Sequence, residues 1–444
     1  MLELIHSSWA EVLNPARMHP EARKIAILHH AGGGNFGDEA EIASVIDNIR
    51  SRWPNTEITL FSMNPEDTAK RHGITAYPVR RHTWSIGYQR TVEETHGAVR
   101  EGLFQWMRTT TNPAIRLLRG VFDEMKFLIG SRRRIKRFDL LIVSGGGHLT
   151  DRGGTWSFPY AILSWFAVAK SAGVKCVLLN VGAGPLIKPM SKYLVRSALS
   201  LASYVSFRDN ESQALVARIG FKRKSYVFPD NVYALQLPST KTLRRETKTI
   251  GIAPMPFPAD PPFDNREKIY RDVIARFAMF TSAVVKRSYP ITFFGTDIGS
   301  DPAAIEDLRV QLRDHHGLDT DPYEPVYSLD ELLRQMSALD YVVTCRFHGV
   351  VFAHLLNKPV LAVSHHPKVT HLMHALGLSE YCVDIRTFDP ANLADRLDSM
   401  VRNQREIKAQ MSASLVQHRK LLKSQFDELW PTETKDSAVL AQAQ

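Results

Sequence analysis

Short apolar runs recur along the chain, and each is followed by a glycine-rich or polar turn and then by a stretch of helical periodicity. Such alternation is typical of parallel β-sheets whose strands are joined by helices. The pattern predicts seven strands in the first half, at residues 24–30, 57–62, 74–79, 139–145, 175–182, 204–209 and 225–230. It predicts five more in the second half, at residues 249–256, 291–297, 340–347, 359–365 and 381–385. The fold class is therefore α/β.

A polar, basic stretch, LPSTKTLRRETK, separates the two series of strands and predicts a domain boundary near residue 240. We expect a first Rossmann-like domain over residues 20–240, a second over 248–390, and a C-terminal helix over 391–430 that braces the two. Residues 85–137 interrupt the first domain with helical patterns that end in the basic run SRRRIKR. This run could contact an anionic lipid or glycan, although such charge runs are usually the solvated end of a helix.

Composition narrows the class of protein further. The 444 residues carry a formal net charge of +10, so the surface favours anions. Three scattered cysteines fit a reducing compartment, and the first twenty residues lack the pattern of a secretory signal. The longest apolar stretch, residues 160–169, is too short to cross a bilayer. We expect a cytoplasmic protein with peripheral membrane contact and no nucleic-acid partner; the oligomeric state stays open.

Glycine-rich turns follow three of the predicted strands. The first, AGGGNFGDEA, places Gly32, Gly34 and Gly37 in a G-x-G-x-x-G pattern, but the second strand ends at residues 62–64 in Ser-Met-Asn, without the carboxylate that would hold a nucleotide ribose. The turn still offers a ligand close approach and helix N–H groups, although a turn that needs glycine for packing alone would look the same. The others are SGGGHLTDRGG at 144–154 and VGAGPL at 181–186. Because the carboxyl ends of parallel strands share one edge, we expect a ligand cleft there.

Two arginines and a histidine lie at the C-terminal ends of predicted strands. Arg208 comes directly after the apolar run 204–207 of the first half, Arg346 comes after the run 341–345 of the second, and His348 lies two residues beyond Arg346. An unpaired buried guanidinium costs several kcal/mol, so each arginine should face a ligand or pair with a carboxylate such as Asp209. The imidazole of His348 could donate a proton near neutral pH, or fill a structural role.

Histidines crowd the second half of the chain, at positions 348, 354, 365, 366, 371 and 374. His371 and His374 could share a helix face, but no Cys, Asp or Glu completes an obvious ligand set, and HExxH is absent. We therefore predict no metal.

An ordered series of motifs resembles the polysaccharide pyruvyl transferase family. The series is NFGDEA (35–40), SGGGHLTD (144–151), VGAGPL (181–186), SFRDNES (206–212), PDNVYAL (229–235), CRFHGVVFA (345–353) and HPKVTHLMHALGL (366–378). The resemblance implies two Rossmann-like domains in a GT-B-like arrangement with an interdomain cleft. It also implies transfer of the enolpyruvyl unit of phosphoenolpyruvate onto sugar hydroxyls, commonly as a cyclic ketal.

The resemblance implies a role for several residues. Arg208 and Arg346 would hold the doubly anionic donor, and His348 would be the general acid. Asp38, in the first glycine turn, would be the base for the acceptor hydroxyl, or else would orient the turn or cap the helix. The remaining substrate contacts would come from Lys368, Gly34, Asn35, Gly146 and Gly147. No cofactor is implied, since phosphoenolpyruvate is a substrate; the acceptor would be a sugar, a glycan or a lipid-linked oligosaccharide.

Two features qualify the resemblance. His365 and His366 stand where relatives commonly have tyrosine and aspartate before the proline, so the roles of that pair are not transferred. A GT-B glycosyltransferase that uses a nucleotide sugar is the alternative enzyme, but the predicted strand ends of the second half lack the glutamate that would clamp a ribose. A non-catalytic glycan-binding protein is the third reading; Arg208, Arg346 and His348 argue against it.

Overall fold

A computed structural model describes residues 23–81, 113–237, 248–257, 265–321 and 323–431 of the chain. The start of the predicted insert, residues 85–112, and the polar stretch around residue 240 lie outside the described residues. The chain divides into two compact units. The first comprises Met1–Gly33, Glu41–Asn231 and Leu422–Gln444, and the second comprises Gly34–Ala40 and Val232–Leu421.

The first unit is built on a seven-stranded sheet in which every pairing is parallel. Its strands, in chain order, are β1 (Lys24–Leu28), β2 (Glu57–Ser62), β3 (Ala76–Pro78), β4 (Leu140–Ser144), β5 (Lys175–Val181), β6 (Tyr204–Phe207) and β7 (Tyr226–Val227). The spatial order is β3-β2-β1-β4-β5-β6-β7, so the direction of winding reverses between β1 and β4. All seven predicted strands are confirmed.

Helices cover this sheet because their apolar sides pack onto the buried strands. They are α1 (Phe36–Arg52), α2 (Pro65–His72), α3 (Pro113–Ile135), α4 (Phe158–Ser171), α5 (Pro189–Leu201) and α6 (Asn210–Arg218). Helix α4 is the most apolar of these in sequence, and its Trp165 is buried in the core with its indole N–H donating to the carbonyl of Val79 at 2.7 Å. A buried indole needs such an acceptor, so this bond helps to fix α4 on the sheet.

The second unit contains a five-stranded parallel sheet in the order β12-β11-β10-β8-β9. Its strands are β8 (Ile250–Ala253), β9 (Ile291–Phe293), β10 (Tyr341–Thr344), β11 (Val360–Ser364) and β12 (Cys382–Asp384). The helices are α7 (Arg266–Lys286), α8 (Asp301–His316), α9 (Leu329–Ser337), α10 (Phe347–Leu355), α11 (Pro367–Ala375), α12 (Pro390–Arg402) and α13 (Gln404–Leu429). The C-terminal region is thus helical on both sides of a break at Asn403. Both parallel sheets and the α/β class agree with the sequence prediction.

Each sheet has one switch point, where the strand order reverses. It falls between β1 and β4 in the first unit and between β8 and β10 in the second. In open α/β sheets ligands bind beyond the carboxyl ends of the strands at such points. Within the described ranges, no helix is both long and apolar enough to cross a membrane.

Candidate functional site

Two histidines meet at the switch point of the first unit. His30 follows β1, and His148 closes the glycine turn after β4; the His148 Nδ1 lies 2.7 Å from the Gly145 carbonyl and its Nε2 lies 3.2 Å from His30 Nδ1. A carbonyl only accepts, so the proton of His148 is on Nδ1. Burial, and then the neighbouring imidazoles, lower the pKa of His148 well below its ordinary value, so the ring is neutral. His30 Nδ1 therefore donates to His148 Nε2.

His29 connects this pair to a buried carboxylate. Its Nδ1 accepts from the Ala31 N–H at 3.1 Å, so its proton is on Nε2, which donates to Glu41 Oε2 at 3.0 Å. The glycines of the turn make room for these side chains. A Cβ on Gly145 would lie 2.4 Å from Glu41 Oε2, and one on Gly146 would lie 2.3 Å from the His30 ring.

These three histidines are also a candidate metal cluster, since one ligand atom from each lies within 4.8 Å of the others. The His29 and His30 rings, however, stack with an interplanar angle of 12° and centroids 4.7 Å apart. Ring lone pairs lie in the ring plane, so two parallel stacked rings do not aim at one ion, and a hydrogen-bonded network accounts for the cluster better. The sequence pattern directed attention to the histidines of the second half and missed this cluster. The feature that indicates it is a histidine after each of the two strands that flank the switch point.

Arg208 is almost fully buried at the end of β6, with 6% of its side chain exposed. Its Nη1 lies 2.9 Å from Asp230 Oδ2 and 3.1 Å from Glu41 Oε1. Burial disfavours the charged guanidinium and by itself would lower the pKa of Arg208. The two carboxylates have the larger effect and raise this pKa above its ordinary value. Asp209, the neighbour considered from sequence, accepts the Ser212 N–H at 2.6 Å and caps α6 instead. Glu41 thus joins Arg208 to the histidine network.

In the second unit, residues 34–40 pack on the loop after β9. The Phe36 N–H donates to the Thr296 carbonyl at 2.9 Å, and the Gly34 carbonyl accepts from the Ile298 N–H at 2.9 Å. Asn35 pairs with Asp297 in an antiparallel bridge, and its side-chain oxygen accepts the Gly37 N–H at 2.9 Å. The backbone of Gly34 and Asn35, predicted to contact substrate, is therefore held in a fixed shape.

Arg346 lies directly before α10, at the switch point of the second unit. Its Nε and Nη2 donate to Asp301 Oδ1 at 2.8 and 2.6 Å, its Nη2 also bonds Ser300, and its Nη1 lies 3.4 Å from Asp297 Oδ2. Burial works against the charge, but the two aspartates raise the pKa of Arg346 above its ordinary value. Like Arg208, this arginine is charged and is shared between two carboxylates.

His348 is buried in the first turn of α10, two residues beyond Arg346. The backbone of Gly37 lies against its imidazole, because a Cβ built on that glycine would be 1.8 Å from His348 Nδ1. Phe347 makes an edge contact with the same ring at 5.2 Å between centroids. Asp38, the next residue after Gly37, is buried in the first turn of α1. The second unit therefore brings the NFGDEA and CRFHG motifs together.

Lys368 lies in the first turn of α11, in the second unit. His366 caps that helix, since its Nδ1 accepts the Lys368 N–H at 3.2 Å. His365 Nδ1 lies 2.8 Å from the carbonyl of Cys345, the residue before Arg346. The two histidines thus have positioning contacts in this structure. Of the predicted site residues, Arg208, Gly146 and Gly147 belong to the first unit, and the others belong to the second.

Known structures with the same fold include two UDP-N-acetylglucosamine 2-epimerases. A putative one from Listeria monocytogenes is 13% identical, with a TM-score of 0.54 over 88% of this chain and 90% of that chain. The enzyme from Neisseria meningitidis bound to UDP-GlcNAc is 10% identical, with a TM-score of 0.52 over 88% of this chain and 94% of that chain. At such identities the likeness shows the fold alone.

Sequence comparison gives the family. A curated relative, the amylovoran biosynthesis protein AmsJ of Erwinia amylovora, is 19% identical over 419 residues, which cover 89% of this chain and 96% of that protein. The profile described as polysaccharide pyruvyl transferase matches residues 35–367, from the NFGDEA motif to the start of α11. The match covers most of both sheets, including Arg208, Arg346 and His348, and the chain belongs to the polysaccharide pyruvyl transferase family.

Proposed function

We propose that this transferase moves the pyruvyl group of phosphoenolpyruvate onto sugar hydroxyls of a polysaccharide or glycan precursor, as a ketal. The observation that carries the proposal is the packing of Gly37 against His348 in the second unit, which brings the motif that holds Asp38 and the motif that holds Arg346 and His348 together at a switch point. An acid, an anion-binding group and a carboxylate are the groups that this reaction requires.

In the proposed reaction His348 donates a proton to the terminal methylene of the enol, which makes the central carbon electrophilic. One acceptor hydroxyl adds to that carbon and gives its proton to Asp38. A second hydroxyl forms the other carbon–oxygen bond as the bond to phosphate breaks. Of the two hydroxyl protons, one replaces the proton that His348 gave to the new methyl group, and the other leaves with phosphate. No oxidant and no cofactor are needed.

We assign donor binding to Arg208 and Arg346, with Lys368 as a further cation. Each guanidinium is shared with two carboxylates, so an anion gains less from it than from a lone arginine. The carboxylates also hold each guanidinium plane in a fixed orientation. This reduces the conformational entropy that is lost when an anion binds through two hydrogen bonds. The N-terminus of α10 adds positive potential beside Arg346.

For the remaining contacts we propose that the turns at Gly34, Asn35, Gly146 and Gly147 line the substrate site. We also propose that the protein works in the cytoplasm and contacts the membrane from that side. The acceptor would be a sugar, a glycan or a lipid-linked oligosaccharide in that compartment.

The test is a screen of acceptors with phosphoenolpyruvate as donor. The protein should release inorganic phosphate only when a suitable acceptor is present, and the acceptor should gain the mass of a pyruvyl ketal. Sugar nucleotides, lipid-linked sugars and finished glycans would be compared, with the His348→Ala variant as a blank. Transfer of a sugar from a nucleotide sugar would replace this proposal with the glycosyltransferase alternative, and acceptor binding without any turnover would favour the glycan-binding one.

A further inference from the structure

Large apolar side chains are exposed unevenly over the described part of the chain. Fourteen of them are exposed there, and ten fall between residues 117 and 193 of the first unit, with 51–73% of each residue exposed. Six are on α3, two are in the loops after β4 and β5, and two are in the first turns of α5. We call these ten the apolar face: Leu117, Leu118, Val121, Phe122, Met125, Ile129, Trp156, Ile187, Met190 and Tyr193. Scattered exposed apolar residues need no explanation, but a concentration of this size marks a contact surface.

The α3 part of the face has helical periodicity. Leu118, Phe122, Met125 and Ile129 recur at intervals of three and four residues, which places them on one side of the helix. An isolated surface helix would carry polar residues there. Helix α3 therefore exposes an apolar stripe in addition to the side, with Phe127 and Ile135, that packs on the core.

Contacts within the first unit link α3 to the two loops. The Tyr160 hydroxyl donates to Glu124 of α3 at 3.1 Å, and the rings of Trp156 and Tyr160 are 5.7 Å apart. The loop that carries Trp156 meets the start of α5 through Thr155 and Ser191, whose hydroxyl oxygens are 2.9 Å apart. The three parts thus adjoin at the edge of the sheet that also carries the glycine turns.

Basic residues outnumber acidic ones in the segments that carry the apolar face. Between Asp151 and Asp209 the chain contains seven Lys or Arg residues and no Asp or Glu. Residues 113–137 contain eight basic residues and two acidic ones, Asp123 and Glu124. Asp123 is itself paired with Arg81 at 3.2 Å. The exposed arginines of the last turn of α3, Arg132–Arg134, are followed by two more basic residues.

We propose that the apolar face seats the first unit on the surface of an anionic bilayer. Leucine, phenylalanine and isoleucine would enter the acyl boundary, tryptophan and tyrosine would lie at headgroup level, and the surrounding lysines and arginines would meet lipid phosphates. A second copy of this chain fits less well, because two surfaces with the same positive charge would repel. The class of acceptor follows if the proposed function holds. Trp156 and Ile187 directly follow the glycine turns, so the edge of the sheet proposed to bind substrate would lie close to the bilayer, and the acceptor would be a lipid-linked glycan.

The test measures flotation of the full-length protein with vesicles, without donor or acceptor. Binding should be strong to vesicles with about a third phosphatidylglycerol, weak to pure phosphatidylcholine, and weaker at high salt because screening removes the electrostatic part. Phe122→Ser combined with Trp156→Ser should lower the partition coefficient about tenfold or more. The matched control, Met279→Ser with Val416→Ser, removes two exposed apolar side chains of the second unit and should bind like the wild type.

Several outcomes overturn the membrane assignment. Equal binding of the Phe122/Trp156 variant and the wild type, or no preference for anionic lipid, contradicts it. Concentration-dependent dimers that this variant abolishes, without vesicle binding, assign the face to a second copy. Because flotation requires no turnover, vesicle binding can be interpreted even if no pyruvyl transfer is observed. If transfer does occur, the variant should lose activity on a lipid-linked acceptor in vesicles and keep it on a soluble glycoside; equal losses on both contradict the acceptor class.

Discussion

Gly37 and His348 lie so close in the second unit that no side chain fits between them. A Cβ on Gly37 would be 1.8 Å from His348 Nδ1 and 2.0 Å from Cγ, well inside van der Waals contact. We predict that Gly37→Ala displaces the imidazole and lowers kcat about a hundredfold, since displacements of about 1 Å can cost that much. Steady-state kinetics with phosphoenolpyruvate and the acceptor found in the screen would measure the loss.

The control for this prediction is Gly120→Ala. Gly120 lies in α3, and apart from its chain neighbours and the backbone of its own helix no atom lies within 4 Å of the Cβ that the substitution adds. That change should leave kcat unaltered and stabilise the helix by up to about 1 kcal/mol. A Gly37→Ala enzyme with wild-type turnover would show that the position of His348 does not matter to the reaction.

His348→Ala should separate catalysis from binding. If His348 donates the proton to the enol methylene, its removal should lower kcat by about 10²–10⁴ and leave the Kd of phosphoenolpyruvate within a few-fold of the wild-type value. Stopped-flow or calorimetric binding gives Kd, and phosphate release gives kcat. A variant that turns over normally would remove this imidazole from the mechanism.

Arg346 has a structural as well as a proposed catalytic role, and substitutions should separate the two. Arg346→Ala should cost about 3–5 kcal/mol of unfolding free energy, because the fully buried Asp301 would lose its paired charge. Arg346→Lys keeps the charge but loses the planar fork, so stability should fall less while the KM for phosphoenolpyruvate rises about tenfold or more. Denaturant titration and donor kinetics on the same preparations give both quantities.

An exposed ion pair provides the comparison for stability. Arg287 pairs with Asp395 and Asp398 on the surface, and Arg287→Ala should cost at most about 1 kcal/mol. A folded Arg346→Lys enzyme whose donor KM equals that of the wild type would show that this arginine serves only to neutralise its aspartates.

The sheets could be predicted from the sequence because buried parallel strands are continuous apolar runs. All twelve predicted strands exist among the described residues, and the differences lie at their ends. For example, residues 225–230 were predicted as a strand, but only Tyr226–Val227 pair. Turn residues close to a strand end continue the apolar pattern without joining the ladder, so the pattern alone overestimates strand length.

The partners of the site residues could not be predicted in the same way. Arg208 pairs with Glu41, which is 167 residues away in the chain, whereas the adjacent Asp209 is used as a helix cap. Nothing in the local pattern indicates that residues 34–40 pack with the second unit, although β1 just before them is in the first. Long-range pairing depends on which sheet edges the chain revisits, and a single sequence does not carry that information.

The pH dependence of stability follows from two histidines of the second unit, the buried His354 and the half-buried His418. His354 Nδ1 lies 3.0 Å from the Tyr233 hydroxyl and its Nε2 lies 2.9 Å from the Met411 carbonyl, while His418 packs edge-on against it at 5.5 Å. Burial lowers the pKa of each to about 4, from an ordinary value of 6.5. Between these values the unfolded chain binds more protons than the folded one, so stability is full above pH 6.5 and falls as the pH drops toward 4. Each histidine changes the free energy of unfolding by up to about 1.4 kcal/mol per pH unit.

Urea titrations at pH 7, 6 and 5 measure this dependence. The His354→Asn variant should lose less stability per pH unit than the wild type, and the exposed His315→Gln variant should lose as much as the wild type. An equal pH dependence in all three proteins would contradict the prediction.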